Sequence, residues 1–123
     1  MREVIVDTNV VLRFLLADVK DQFETSKEII QMAKKGKLRL TIPEIVIFEV
    51  LFIFTKYYEF EKKSVVDKVK TIVMTDYIAV DSRRIFVKAI DIYVKNNLSF
   101  VDCFLKAKSI VEGKELLSVL EKR

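Results

Sequence analysis

Residues 2–16 read REVIVDTNVVLRFLL. Residues 2–6 are rich in β-branched side chains and stop at Asp7, which predicts a short buried strand. From Thr8 the pattern changes: Val11, Leu12, Leu15 and Leu16 recur at helical spacing. A strand–turn–helix junction is therefore expected at Asp7, Thr8 and Asn9. In parallel sheets the carboxyl end of a strand is the edge where ligands bind.

Working outward, residues 21–35 predict a second helix with Phe23, Ile29, Ile30 and Ala33 as its apolar stripe, closed by Gly36. Residues 38–42 read as a strand. Pro43 opens a helix reaching about Tyr57, and its nearly continuous apolar character predicts burial on most sides. A helix over residues 61–74 and a strand over 77–80 follow. Asp81 or Ser82 caps the next helix, which carries Ile85, Phe86, Ala89, Ile90 and Tyr93 and breaks at Asn96 and Asn97. Ser99 caps a helix that reaches Val111 or Glu112, Gly113 ends it, and residues 116–120 read as a last strand. The order β-α-α-β-α-α-β-α-α-β has neither repeats nor a linker. It predicts an α/β fold with a short, mainly parallel central sheet covered on both faces, in one domain over residues 1–123.

Composition narrows the chemistry. The 123 residues are 51% hydrophobic and 33% charged, with two glycines and one proline, which excludes disorder and loop-rich disulfide scaffolds. Histidine is absent and Cys103 is the only cysteine, so imidazole-dependent catalysis, His-rich zinc sites and dithiol chemistry are excluded. Cys103 reads as a small buried hydrophobe. Two glycines make no phosphate-binding loop. The formal charge of +4 permits nucleic-acid binding without demanding it. Charges recur within the apolar amino-terminal stretch, unlike a signal peptide, and no apolar run approaches the ~20 residues of a membrane span. A soluble intracellular protein is expected.

Three acids stand among apolar neighbours. Asp7 ends the first strand. Glu49 is the single charge in residues 45–54, where the other nine are Ile, Val, Phe or Leu, and a buried carboxylate there needs a basic partner or a cation. Asp102 lies in LSFVDCFLKA near a helix start. Each has a plainer reading: Asp7 as a helix cap, Glu49 paired with Lys56 or Arg13, and Asp102 as a first-turn acid favoured by the helix dipole. Taken together, a carboxylate set without imidazole or thiolates suits Mg²⁺ or Mn²⁺.

These segments carry a resemblance. VDTNVVLRFLLAD with Gln22 shortly after, IPEIVIFEVLFIFTKYY, and NNLSFVDCFLKAKS resemble, in order and spacing, the three acidic motifs of the PIN-domain ribonucleases, in particular the small VapC-like toxins of toxin–antitoxin pairs. The resemblance implies a three-layer α/β/α PIN-like fold in which Asp7, Glu49 and Asp102 hold Mg²⁺ or Mn²⁺. It further implies that Thr8 and Asn9 position water or a ligand carboxylate, and that Ser99 assists at the third motif. RNA is the implied substrate, cleaved to 5′-phosphate and 3′-hydroxyl ends, with Arg13, Arg83 and Arg84 guiding its backbone. A homodimer, a small cognate antitoxin protein and a cytoplasmic location are implied as well. The aromatic residues Phe52, Phe54, Tyr57 and Tyr58 are candidates for a partner face, with plain core as the alternative for Phe52 and Phe54. One departure stands out: Leu120 occupies the position of the family's usual fourth acid, with Glu121 beside it. That favours, as the alternative, a catalytically weakened or inactive PIN-like module that binds RNA or protein.

Overall fold

The computed structural model describes residues 1–119. They divide into two compact units, Met1–Ser82 and a second that begins at Arg83.

In the first unit, β1 (Arg2–Ile5), β2 (Leu38–Ile42) and β3 (Ala79–Val80) form a parallel sheet in the order β1-β2-β3. Ile5 pairs with Thr41, and Ile42 with Val80. The ladder runs one residue past each outer strand, with Val6 N donating to Thr41 O at 3.1 Å and Asp81 N to Ile42 O at 3.0 Å. The carboxyl ends of all three strands thus lie side by side, as parallel pairing with helical crossovers requires.

On β2, Leu38, Leu40 and Ile42 are buried while Arg39 is exposed, the alternation of a strand with one face in the core. The first strand departs from expectation. It is one of the two outer strands of the described sheet, and Ile5 is exposed; only Val6, just beyond it, is buried. β-Branched composition marks extended backbone, and burial depends on which neighbours cover it.

The helices follow their local signals. α1 (Thr8–Leu16) and α2 (Lys20–Lys34) pack against each other. Gly36, at φ +73°, closes α2: its N–H donates to Ala33 O and that of Lys37 to Met32 O, the paired bonds of a Schellman cap. Pro43 is the extended N-cap of α3 (Glu44–Phe52) rather than its first helical residue. α3 stops well short of Tyr57. Residues Ile53–Tyr57 form a π-helical turn, in which Tyr58 N donates to Ile53 O at 3.0 Å. The α3 surface is also less buried than its composition predicts, because Ile45 and Phe52 are 73% and 63% exposed. Phe54, by contrast, is wholly buried, so it is core, whereas Phe52 and Tyr57 are exposed. α4 (Lys62–Val73) buries Val65, Val66, Val69, Ile72 and Val73.

In the second unit, α5 (Arg83–Lys95) and α6 (Phe100–Glu112) pack as a pair. Phe86 stacks on Phe100 and meets Phe104, and Cys103 is fully buried, as expected of a small hydrophobe. The strand expected at residues 116–120 does not form over 116–119, and Leu120 lies outside the described residues. An apolar run becomes a strand only where a neighbouring strand takes up its backbone hydrogen bonds. Among the described residues no helix is long and apolar enough to cross a membrane.

Candidate active site

The junction at the end of β1 sets the site. After Val6 makes the last rung of the ladder, Asp7 stays extended at φ −88° and ψ 176°, and α1 begins at Thr8. Asp7 Oδ1 accepts from Val10 N at 3.1 Å, so the helix-cap reading of this residue is correct. The cap occupies one carboxylate oxygen and leaves the side chain exposed at the carboxyl edge of the sheet. Capping and ligand binding are therefore compatible at Asp7.

Asp7 and Asn9 lie on one wall of an open cleft of about 600 Å³ between α1 and α2, which is within the usual size of ligand sites. Arg13, one turn further along α1, belongs to the same wall. Its Nη1 donates to both carboxylate oxygens of Asp18, at 3.0 and 3.1 Å, which anchors the guanidinium beside the cleft. Asp21, Gln22, Thr25 and Ser26 of α2 form the opposite wall.

Glu49 corrects an expectation. It is exposed, and among the described residues it pairs with neither Lys56 nor Arg13. The reason is geometric. Ile45, Glu49 and Phe52 recur at helical-turn spacing and share the exposed side of α3, while Val46, Ile47, Val50 and Leu51 face the core. No desolvation has to be compensated there. Glu49 does not line the cleft, although α3 packs against α1, the helix that Asp7 caps.

Ser99 and Asp102 sit together in the second unit. Ser99 is the N-cap of α6, and its Oγ accepts from the backbone N–H of Asp102 at 3.2 Å. Asp102 is exposed in the first turn. Arg83 and Arg84 open α5. Leu120 and Glu121 lie outside the described residues.

Within the first unit, the described residues hold no group of three or more Asp, Glu, Cys or His placed to share a metal ion. At the cleft of the first unit, the Asp7 carboxylate and the Asn9 amide oxygen are the donor types a hard cation takes, and the chain has no imidazole and a fully buried thiol.

The sequence pattern did not single out the α2 wall. A signal was present in Ser26, which stands at helical spacing from Phe23, Ile30 and Ala33. It is a hydroxyl inside the apolar stripe, and it is 4% exposed.

Comparison with known proteins adds two findings. The PIN domain family matches residues 4–121. A VapC ribonuclease of Aquifex aeolicus (strain VF5) is 29% identical over 116 residues, covering 93% of this chain and 84% of the relative. Together with the parallel sheet and the six α-helices of the described residues, the family match bears out the α/β, three-layer PIN-like fold class expected from the sequence.

Proposed function

The chain belongs to the PIN-domain family, and from that premise we propose that it is a Mg²⁺- or Mn²⁺-dependent endoribonuclease, the toxin of a toxin–antitoxin pair. The observation that carries this reading is the position of Asp7. It stands where a parallel sheet presents ligands, with one carboxylate oxygen used in capping α1 and the side chain bordering a cleft. The similarity to a VapC ribonuclease over 93% of the chain supports the choice of RNA as substrate.

In this proposal the catalytic domain spans residues 1–123, and Asp7, Glu49 and Asp102 hold the divalent cation. The cation, when bound, supplies an acidified water as nucleophile and neutralises charge developing on the phosphoryl oxygens. Asp7 is fixed for this task by the Val10 N–H, which holds its carboxylate against the helix start. Ser99 is a positioning residue, since its cap sets the first turn that carries Asp102. Thr8 and Asn9 flank Asp7 and orient water or a carboxylate. Arg13 sits at the cleft with its charge partly met by Asp18, and with Arg83 and Arg84 it guides the RNA backbone. A cytoplasmic homodimer held inactive by a small antitoxin protein completes the proposal, with the exposed Phe52 and Tyr57 as candidates for a partner face.

Purified protein incubated with RNA and Mn²⁺ is expected to yield fragments with 5′-phosphate ends, and a chelator is expected to stop the reaction. Leu120, at the position of the usual fourth acid, favours a second reading as a binding module without catalysis. RNA bound but left intact by the wild-type protein in Mn²⁺ selects that second reading.

A further inference from the structure

The α2 wall of the cleft carries polar chemistry that metal binding does not use. Thr25 Oγ1 donates to the Asp21 carbonyl at 3.0 Å, the usual return bond of a helical hydroxyl, so its lone pairs are left for a ligand. Ser26, one residue on, makes no such bond. Its side chain is more than nine-tenths buried, has no hydrogen-bond partner among the described residues, and lines the cleft. No side-chain oxygen or nitrogen among the described residues is both sealed from solvent and without a partner, so the unpartnered Ser26 hydroxyl is open to the cleft, where a ligand can meet it. The Asp21 carboxylate is exposed, lines the same wall, and forms no ion pair among the described residues. Gln22 adds an amide with both donors and an acceptor.

We propose that this wall is a nucleobase subsite, in which Asp21 accepts hydrogen bonds from an unpaired guanine of the RNA while Gln22 and Ser26 meet the rest of the base edge. The proposal rests on the ribonuclease reading above and deepens it. Its chemistry is selective. A carboxylate has two parallel acceptors, and among the four bases only guanine offers two adjacent N–H donors on its Watson–Crick edge, the ring N1–H and the 2-amino group. Adenine and cytosine present one amino group beside a ring acceptor, and uracil presents one N–H between two carbonyls. The Gln22 amide then suits the guanine O6, which needs a donor. Recognition of splayed, unstacked bases along that edge is the common mode for single-stranded RNA. The cleft volume of about 600 Å³ accommodates a nucleoside.

The test titrates guanosine, adenosine, cytidine and uridine separately into ¹⁵N-labelled full-length protein without metal, following the side-chain amides of Gln22 and Asn9 and the backbone of α2. Guanosine is expected to shift these signals at concentrations roughly tenfold below those of the other nucleosides. Asp21→Asn is expected to abolish the preference, and Gln22→Ala to weaken it. Asp21 and Gln22 are exposed, so both variants keep the core intact. Equal response to all four nucleosides, or a guanosine preference that survives Asp21→Asn, overturns the proposal. The nuclease reading fails separately. Guanosine binding dependent on Asp21 in a protein that cleaves no RNA upholds the subsite and removes the catalysis. Cleavage indifferent to guanine, with no guanosine shifts, does the reverse.

Discussion

Asp7 caps α1 and, in the proposed site, holds the cation, and separate substitutions tell the two apart. Asparagine caps helices about as well as aspartate, so Asp7→Asn is expected to leave the melting temperature nearly unchanged, whereas Asp7→Ala loses about 1 kcal/mol. Calorimetry or circular dichroism checks both. Glu49→Gln is expected to change stability by no more than about 0.5 kcal/mol, because the side chain is exposed and makes no ion pair among the described residues. A loss of several kcal/mol would restore the buried-charge argument that the structure removes. The exposure of Glu49 has a physical reason that its sequence neighbours hide. A stretch with nine apolar residues in ten shows no polar side, so its composition does not tell which face is outside. Asp7 was more legible, since a strand ending in Asp-Thr-Asn before a helical pattern permits few backbone paths. Ser26 was visible too, as a hydroxyl in an apolar stripe, but such a serine is indistinguishable in sequence from one that simply packs.

Helix ends were the most readable elements, because caps are local chemistry. Gly36, Gly113 and Ser99 all occupy the positions their residue types predict. Ser99→Ala is expected to cost about 1 kcal/mol and to fray the first turn around Asp102, which amide hydrogen exchange would detect. The π-helical turn was not legible, since it inserts one extra residue per turn without changing which side chains are apolar. Its anchor is Phe54, fully buried and 5.5 Å from the Phe60 ring, with Lys68 Nζ 4.8 Å above Phe60. Phe54→Ala is expected to destabilise by about 3–5 kcal/mol in denaturant unfolding. At the far end of α6, hydrogen bonds from Lys108 and Lys114 hold the Glu112 carboxyl below its ordinary range. A lowered carboxyl pKa contributes stability above the ordinary glutamate range, and that contribution is lost as pH falls through the lowered midpoint. An NMR titration of Lys108→Ala is expected to move the Glu112 midpoint up towards normal.

At the scale of the whole molecule, the missing histidines and the single buried thiol leave oxygen ligands as the means of holding a metal. The family match over residues 4–121 makes a carboxylate nuclease the economical reading of that composition. The α/β class was legible because four extended runs separated by pairs of helical runs admit little besides a parallel sheet, and the first three of them form it. The grouping of the three acids in the proposed site comes from family resemblance alone, since no periodicity relates positions 7, 49 and 102. The surplus of basic residues, +4 overall, is expected to make RNA affinity fall steeply between low and moderate salt. The most direct test compares wild-type protein with Asp7→Asn in Mn²⁺ on the same RNA, after confirming equal melting temperatures. The account predicts cleavage by the wild type and loss of nearly all of it in the variant. Equal cleavage by both proteins would contradict it.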